Sequence, residues 1–141
     1  MTNETKENQI KQLAKEYLSS FEHKIIEDPD GDQWIKIITP YLDIRNDHIE
    51  IYIKQQDDTL FLTDAGETME RVNYLNNARF TNIDEIKNAI ESTLRNCEIK
   101  KETDELFLYA EKNELISKIY LLIQCIIETK VVVSVLMTTL A

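Results

Sequence analysis

"HIEIYIKQQDDTLFLTDAGET" (His48–Thr68) is the stretch that decides the fold. Ile49, Ile51 and Ile53 alternate with His48, Glu50, Tyr52 and Lys54. A side-chain period of two means a strand with one buried face. "QQDDT" (55–59) then reads as a hairpin loop and "LFLT" (60–63) as the return strand. Asp64, with Glu67 three residues on, fits a helix N-cap and its reciprocal partner. A short helix should follow, with Met69, Val72 and Leu75 facing inward. Gly66, in the first turn, points to a tight strand-to-helix turn.

Toward the N-terminus, "WIKIITPYL" (34–42) is rich in β-branched and aromatic residues and predicts a strand. Pro40 cannot donate to a ladder, so the strand should end or bend there. "EDPDGDQ" (27–33) is a turn cluster. Before it, Ile10, Leu13, Ala14, Tyr17, Leu18 and Phe21 recur at spacings of three and four, which predicts an amphipathic helix over 5–25.

Toward the C-terminus, Asn82 and Glu85 cap a second helix carrying Ile83, Ile86, Ile90 and Leu94. Residues 98–111 form a second hairpin, turning at Thr103–Asp104. Residues 114–141 are apolar on most faces, as expected of a buried helix. The polar triplet Glu128-Thr129-Lys130 breaks this run, leaving it short of the roughly 18–20 residues of a bilayer span. Beyond it, 131–141 fits helix or strand. This end is expected to pack on a second copy, with Val133 and Leu136 in a homodimer seam. The expected architecture is one α+β domain over 1–141, an antiparallel sheet in the order α-β-β-β-α-α-β-β-α, ending in a long apolar helix.

Twenty-six acids against 16 lysines and arginines give a net charge of −10. Such a balance argues against direct contact with nucleic acid or an anionic membrane, and favours a basic protein partner. The excess is concentrated: residues 27–70 hold 12 acids against Lys36, Arg45 and Lys54. Cys97 and Cys125 lie in apolar-periodic segments and lack metal-ligand spacing. With the polar opening "MTNETKENQIKQ", they are expected to be buried, reduced thiols of a cytoplasmic protein.

No nucleophile elbow or glycine-rich phosphate loop is present. His23 falls near the end of the predicted first helix, and His48 on the polar face of its strand. Asp43, Asp47, Glu50 and Asp64 could converge on a divalent cation, as in a metal-dependent nuclease or hydrolase. Against this, Glu50 and Lys54 lie four residues apart, about 13 Å along a strand, where the common nuclease pattern needs two. Asp64 also has a structural task as a cap.

Three motifs occur in order: Thr39-Pro40-Tyr41-Leu42-Asp43; Asn46-Asp47, Ile49 and Tyr52; and Leu62-Thr63-Asp64, Gly66 and Thr68. In these the chain resembles an uncharacterised bacterial and phage family catalogued as a domain of unknown function, over residues 34–75. The family pattern often has an acid after the position of Asp64, where this chain has Ala65. The resemblance implies a home in bacteria, phage or mobile elements and brings no known reaction with it. The expectation is a non-enzymatic acidic protein that binds and inhibits a basic nucleic-acid-processing or defence protein. Asp43, Asp47, Glu50, Asp57, Asp58 and Asp64 are its candidate partner-binding residues, without cofactor, metal or catalytic group. The metal-dependent hydrolase is the alternative.

Overall fold

The hairpin at the centre of the sequence is also the centre of the sheet. In this computed structural model, which describes residues 3–79 and 83–140, β3 (His48–Gln56) pairs with β4 (Thr59–Thr63) across the Asp57–Asp58 turn. β2 (Gln33–Leu42) lies on the other side of β3, and β1 (Glu22–Glu27) lies outside β2. The second hairpin, β5 (Lys100–Glu102) and β6 (Glu105–Ala110), docks β6 against β4. The result is a six-stranded antiparallel sheet in the order β1-β2-β3-β4-β6-β5. The helices are α1 (Asn3–Tyr17), α2 (Glu67–Arg79), α3 (Ile83–Cys97) and α4 (Leu115–Leu140).

The α+β class, the antiparallel sheet, the element order and the long C-terminal helix are as the sequence indicates, with one strand added at the edge. Residues 22–25, expected as the end of the first helix, are strand. That helix stops at Tyr17, and Phe21 N–H donates to Leu18 O in the turn that follows. The second-helix cap expected at Asn82 and the side chain of Leu75 lie outside the described residues.

One face of the sheet is the core. Ile35 and Ile37 of β2, Ile49, Ile51 and Ile53 of β3, Leu60 and Leu62 of β4, and Leu106 and Leu108 of β6 share one buried cluster with residues from all four helices. Fully burying each such side chain contributes about 1.5–3 kcal/mol. The alternate residues Trp34, Tyr52, Phe61 and Tyr109 lie on the opposite face and outside that cluster.

α4 runs unbroken through Glu128-Thr129-Lys130, so 131–140, which the sequence left open between helix and strand, is helix. On length and composition alone it would cross a bilayer, with a mean hydropathy of 1.9 over an 18-residue window. Its apolar residues serve the core here: Leu115, Ile119, Leu122 and Ile126 are buried in the cluster. Val133, expected in a dimer seam, is also core. Among the described residues, the large exposed apolar side chains of α4 are Ile116, Tyr120, Val131 and Val135. Cys97 and Cys125 are buried and free. Burial raises the pKa of both thiols.

An acidic cleft closed by a buried lysine

The cleft lies at the end of the sheet away from the Asp57–Asp58 turn, where three strands lose their regular pairing. β2 and β3 shift register between Ile38 and Leu42, around Pro40. There Thr39 Oγ1 donates to Ile49 O at 2.7 Å, a side-chain bond within the irregular stretch. β4 pairs with β3 only from Tyr52 onward, so His48–Ile51 have no partner strand on that side.

Asp43 builds the turn between β2 and β3. Its Oδ1 accepts the N–H groups of Arg45 (2.8 Å) and Asp47 (3.1 Å), and Asn46 takes a left-handed φ of 63°. Its Oδ2 accepts from Lys130 Nζ at 2.9 Å, a contact that spans 87 positions of sequence. Lys130 Nζ also donates to Glu67 Oε2 at 2.7 Å. The Lys130 and Asp43 side chains are only 7% and 4% exposed, and Glu67 is 53% exposed. Burial by itself would raise the Asp43 pKa. The Lys130 hydrogen bond and the two backbone N–H groups outweigh it and hold the carboxyl below its ordinary value. Burial likewise disfavours charged Lys130, and Glu67 and Asp43 overcome it, raising the ammonium pKa.

Asp64 builds the β4–α2 turn. Its Oδ1 accepts from Gly66 N (2.8 Å) and Leu106 N (3.1 Å), and its Oδ2 from Thr68 N (3.1 Å). One carboxylate thus caps α2 and pins it to β6. The reciprocal half of the predicted capping box is not formed. Asp64 N–H donates to Leu106 O, and the Glu67 side chain is engaged by Lys130. Ala65 and Gly66 take left-handed φ values of 58° and 84°. A Cβ on Gly66 would meet Asp104 O at 3.8 Å, an ordinary contact. The glycine therefore serves the backbone conformation of the tight turn and not a close approach.

The resulting cleft has a volume of about 520 Å³. Asp43, Asp47, Glu50, Asp64, Glu67 and Glu70 line it, with Lys130 and His48. Six carboxylates against one lysine give a formal charge of −5 (−6 + 1) with neutral histidine. His48 Nδ1 lies 2.8 Å from Thr39 O. A carbonyl only accepts, so Nδ1 carries the proton, and neutral His48 keeps Nε2 as an acceptor.

The structure thus gathers four of the six sequence-predicted residues, Asp43, Asp47, Glu50 and Asp64, at one cleft. Asp57 and Asp58 lie at the opposite end, beside a separate hollow with Asp32, Lys54 and Lys112. Of the four, Asp43 and Asp64 are buried and have both oxygens engaged by protein donors. Glu50 is paired with Lys36 at 2.6 Å. Among the described residues, no three His, Cys, Asp or Glu side chains are arranged to hold a metal ion. His23, expected at a helix end, sits on β1 with Nδ1 2.9 Å from Phe21 O.

Sequence reasoning missed Lys130 as a site residue and gave no binding role to Glu67 or Glu70. The signal for Lys130 was present as a lysine in the more apolar second half of a largely apolar helix, which burial permits only when the charge is paired.

The family described as Domain of unknown function DUF1828 matches residues 39–129. The chain belongs to that family. The matched span runs from Thr39, at the irregular end of β2, to Thr129, one residue before Lys130. It therefore includes every carboxylate of the cleft. No curated protein and no solved structure gives a match.

Proposed function

We propose that this DUF1828 domain is a non-enzymatic binding protein whose acidic cleft takes basic side chains of a partner protein. The partner class is a nucleic-acid-processing or defence protein, whose phosphate-binding surface the carboxylates would engage. The observation that carries this reading is the convergence of six carboxylates on a cleft whose single lysine is buried and already paired. A concave, like-charged wall focuses its field and speeds the approach of a cation.

The groups open to a partner are Asp47, Glu67 and Glu70, which are exposed, and the half-buried Glu50. Asp43 and Asp64 act behind them by fixing the two turns that form the wall. A cytoplasmic setting, which keeps Cys97 and Cys125 reduced, belongs to the same proposal.

Two charge-matched variants test it. Asp47→Lys/Glu70→Lys alters the cleft, and Asp57→Lys/Asp58→Lys alters the far hairpin. Each raises the net charge by four. Calorimetric titration with an octa-arginine peptide should show binding weakened at least 10-fold by the cleft pair and under 3-fold by the hairpin pair. Equal weakening would mean that the peptide senses only net charge, and the cleft reading would fall.

A further inference from the structure

The sheet face turned away from the helices carries a second feature. Strand register places side chains in transverse rows across it. One row runs Ile26, Trp34, Lys54, Phe61, Tyr109. The next runs Lys24, Lys36, Tyr52, Thr63, Phe107, Lys100.

These two rows hold five aromatic rings, four lysines and no carboxylate. Four of the rings form a connected cluster. Trp34 and Phe61 are 6.2 Å apart, Phe61 is 5.4 Å from both Phe107 and Tyr109, and Phe107 and Tyr109 are 6.0 Å apart. Three of the ammonium groups stand over rings: Lys54 over Trp34 at 5.3 Å, Lys100 over Tyr109 at 5.8 Å and Lys36 over Tyr52 at 6.0 Å.

Acids border the rows, and Glu105 of β6 reaches Thr63 of the second row. Glu50, in the following row, pairs with Lys36, and Asp32, in the β1–β2 turn, pairs with Lys54 at 2.8 Å. Asp28 accepts from Trp34 Nε1 at 2.8 Å. The two lysine pairs are partly exposed, and such pairs are weak, so the ammonium groups can turn to another anion at little cost.

We infer that this open face binds single-stranded nucleic acid, with unpaired bases stacking on Trp34, Phe61 and Tyr109 and phosphates meeting Lys24, Lys36 and Lys100. Rings accept any base through its π-face, and interleaved lysines track the backbone. A duplex hides its base faces inside its own stack and cannot use the rings. The inference departs from the expectation drawn from the net charge of −10. That figure averages the acidic cleft and turns with two rows that hold four lysines, two of them paired with bordering carboxylates. The surrounding negative field keeps the affinity weak, and the face adjoins the cleft at Glu50 and Tyr52, which line it.

Trp34 is the only tryptophan of the chain, so its fluorescence reports on this face alone. Titration with a ten-residue oligouridine at 20 mM salt should quench it saturably. Engagement of about three phosphates should weaken binding roughly 20-fold between 50 and 200 mM salt. The exposed pair Lys24→Glu/Lys100→Glu should weaken it at least 10-fold, and Tyr109→Ala at least 5-fold, with unchanged circular dichroism. The inference is overturned if oligouridine leaves Trp34 unquenched, if the lysine reversals leave binding unchanged, or if a duplex quenches equally. Quenching by octa-arginine in place of oligouridine would also overturn it, because the face would then belong to a basic protein.

Discussion

Replacing Lys130 by Met removes the ammonium from a site where its side chain is 7% exposed, and leaves Asp43, 4% exposed, without its counter-charge. Two backbone N–H groups still reach Asp43 Oδ1, and Glu67 can turn to solvent. Breaking a buried pair from one side destabilises by about 3–5 kcal/mol, a large part of the roughly 5–15 kcal/mol that holds a domain folded. An unfolding entropy of about 0.3 kcal/mol/K for a chain of this length turns this into a melting-temperature drop of about 10–17 °C at pH 7. Asp43→Asn/Lys130→Met should recover about 1–3 kcal/mol relative to Lys130→Met, because the buried charge is gone and the turn keeps its acceptor. The pH dependence fixes the sign. Asp43 titrates below its ordinary value of 3.8 in the folded wild type, so its contribution is present above that value and lost as pH falls through the folded-state value. Lys130 titrates above its ordinary 10.5, so its contribution is full below that value and lost as pH rises through the folded-state value. The gap between wild type and Lys130→Met should therefore narrow from pH 7 toward pH 3. Calorimetric scans across that range supply the test. A loss under 1 kcal/mol at pH 7, or a gap that does not change with pH, would refute the reasoning.

Two further outcomes follow from named contacts. Asp64→Ala strips acceptors from three backbone N–H groups at once and should cost about 2–4 kcal/mol in urea denaturation, with Asp64→Asn restoring roughly half. The homodimer expected from the sequence has Val133 and Leu136 in its seam; with Val133 buried, a seam on α4 would use the exposed Ile116, Tyr120, Val131 and Val135. Sedimentation at 100 μM should then give twice the chain mass, returned to one chain by Val135→Asp; a wild type that sediments as one chain would remove the dimer from the account.

The central strands were legible because alternation is a local signal. Ile49, Ile51 and Ile53 announce their face in seven residues, and the Asp57–Asp58 turn sits between two strong strands. β1 was not legible. "EHKIIE" follows directly on a helical stripe ending at Phe21, and its burial alternates only weakly. Four cleft carboxylates were legible as candidates because they flank two adjacent strands. Their division of labour was not. Asp43 and Asp64 are consumed by turn and cap hydrogen bonds that depend on backbone placed by tertiary structure. Lys130 arrives from a helix 87 positions away, and no local pattern carries that distance. The ring-and-lysine rows were hidden for a related reason. Trp34, Tyr52, Phe61 and Tyr109 sit on four strands, and only the register between strands brings them side by side.

The most direct test of the account is a backbone-amide NMR titration of the wild-type protein with octa-arginine. The cleft reading predicts that saturating shift changes are confined to residues 43–50 and 64–71, on either side of Lys130. Shifts of equal size at the Asp57–Asp58 hairpin and the 28–32 turn would show a peptide spread over all the acidic turns, and would contradict the claim that the cleft is a site.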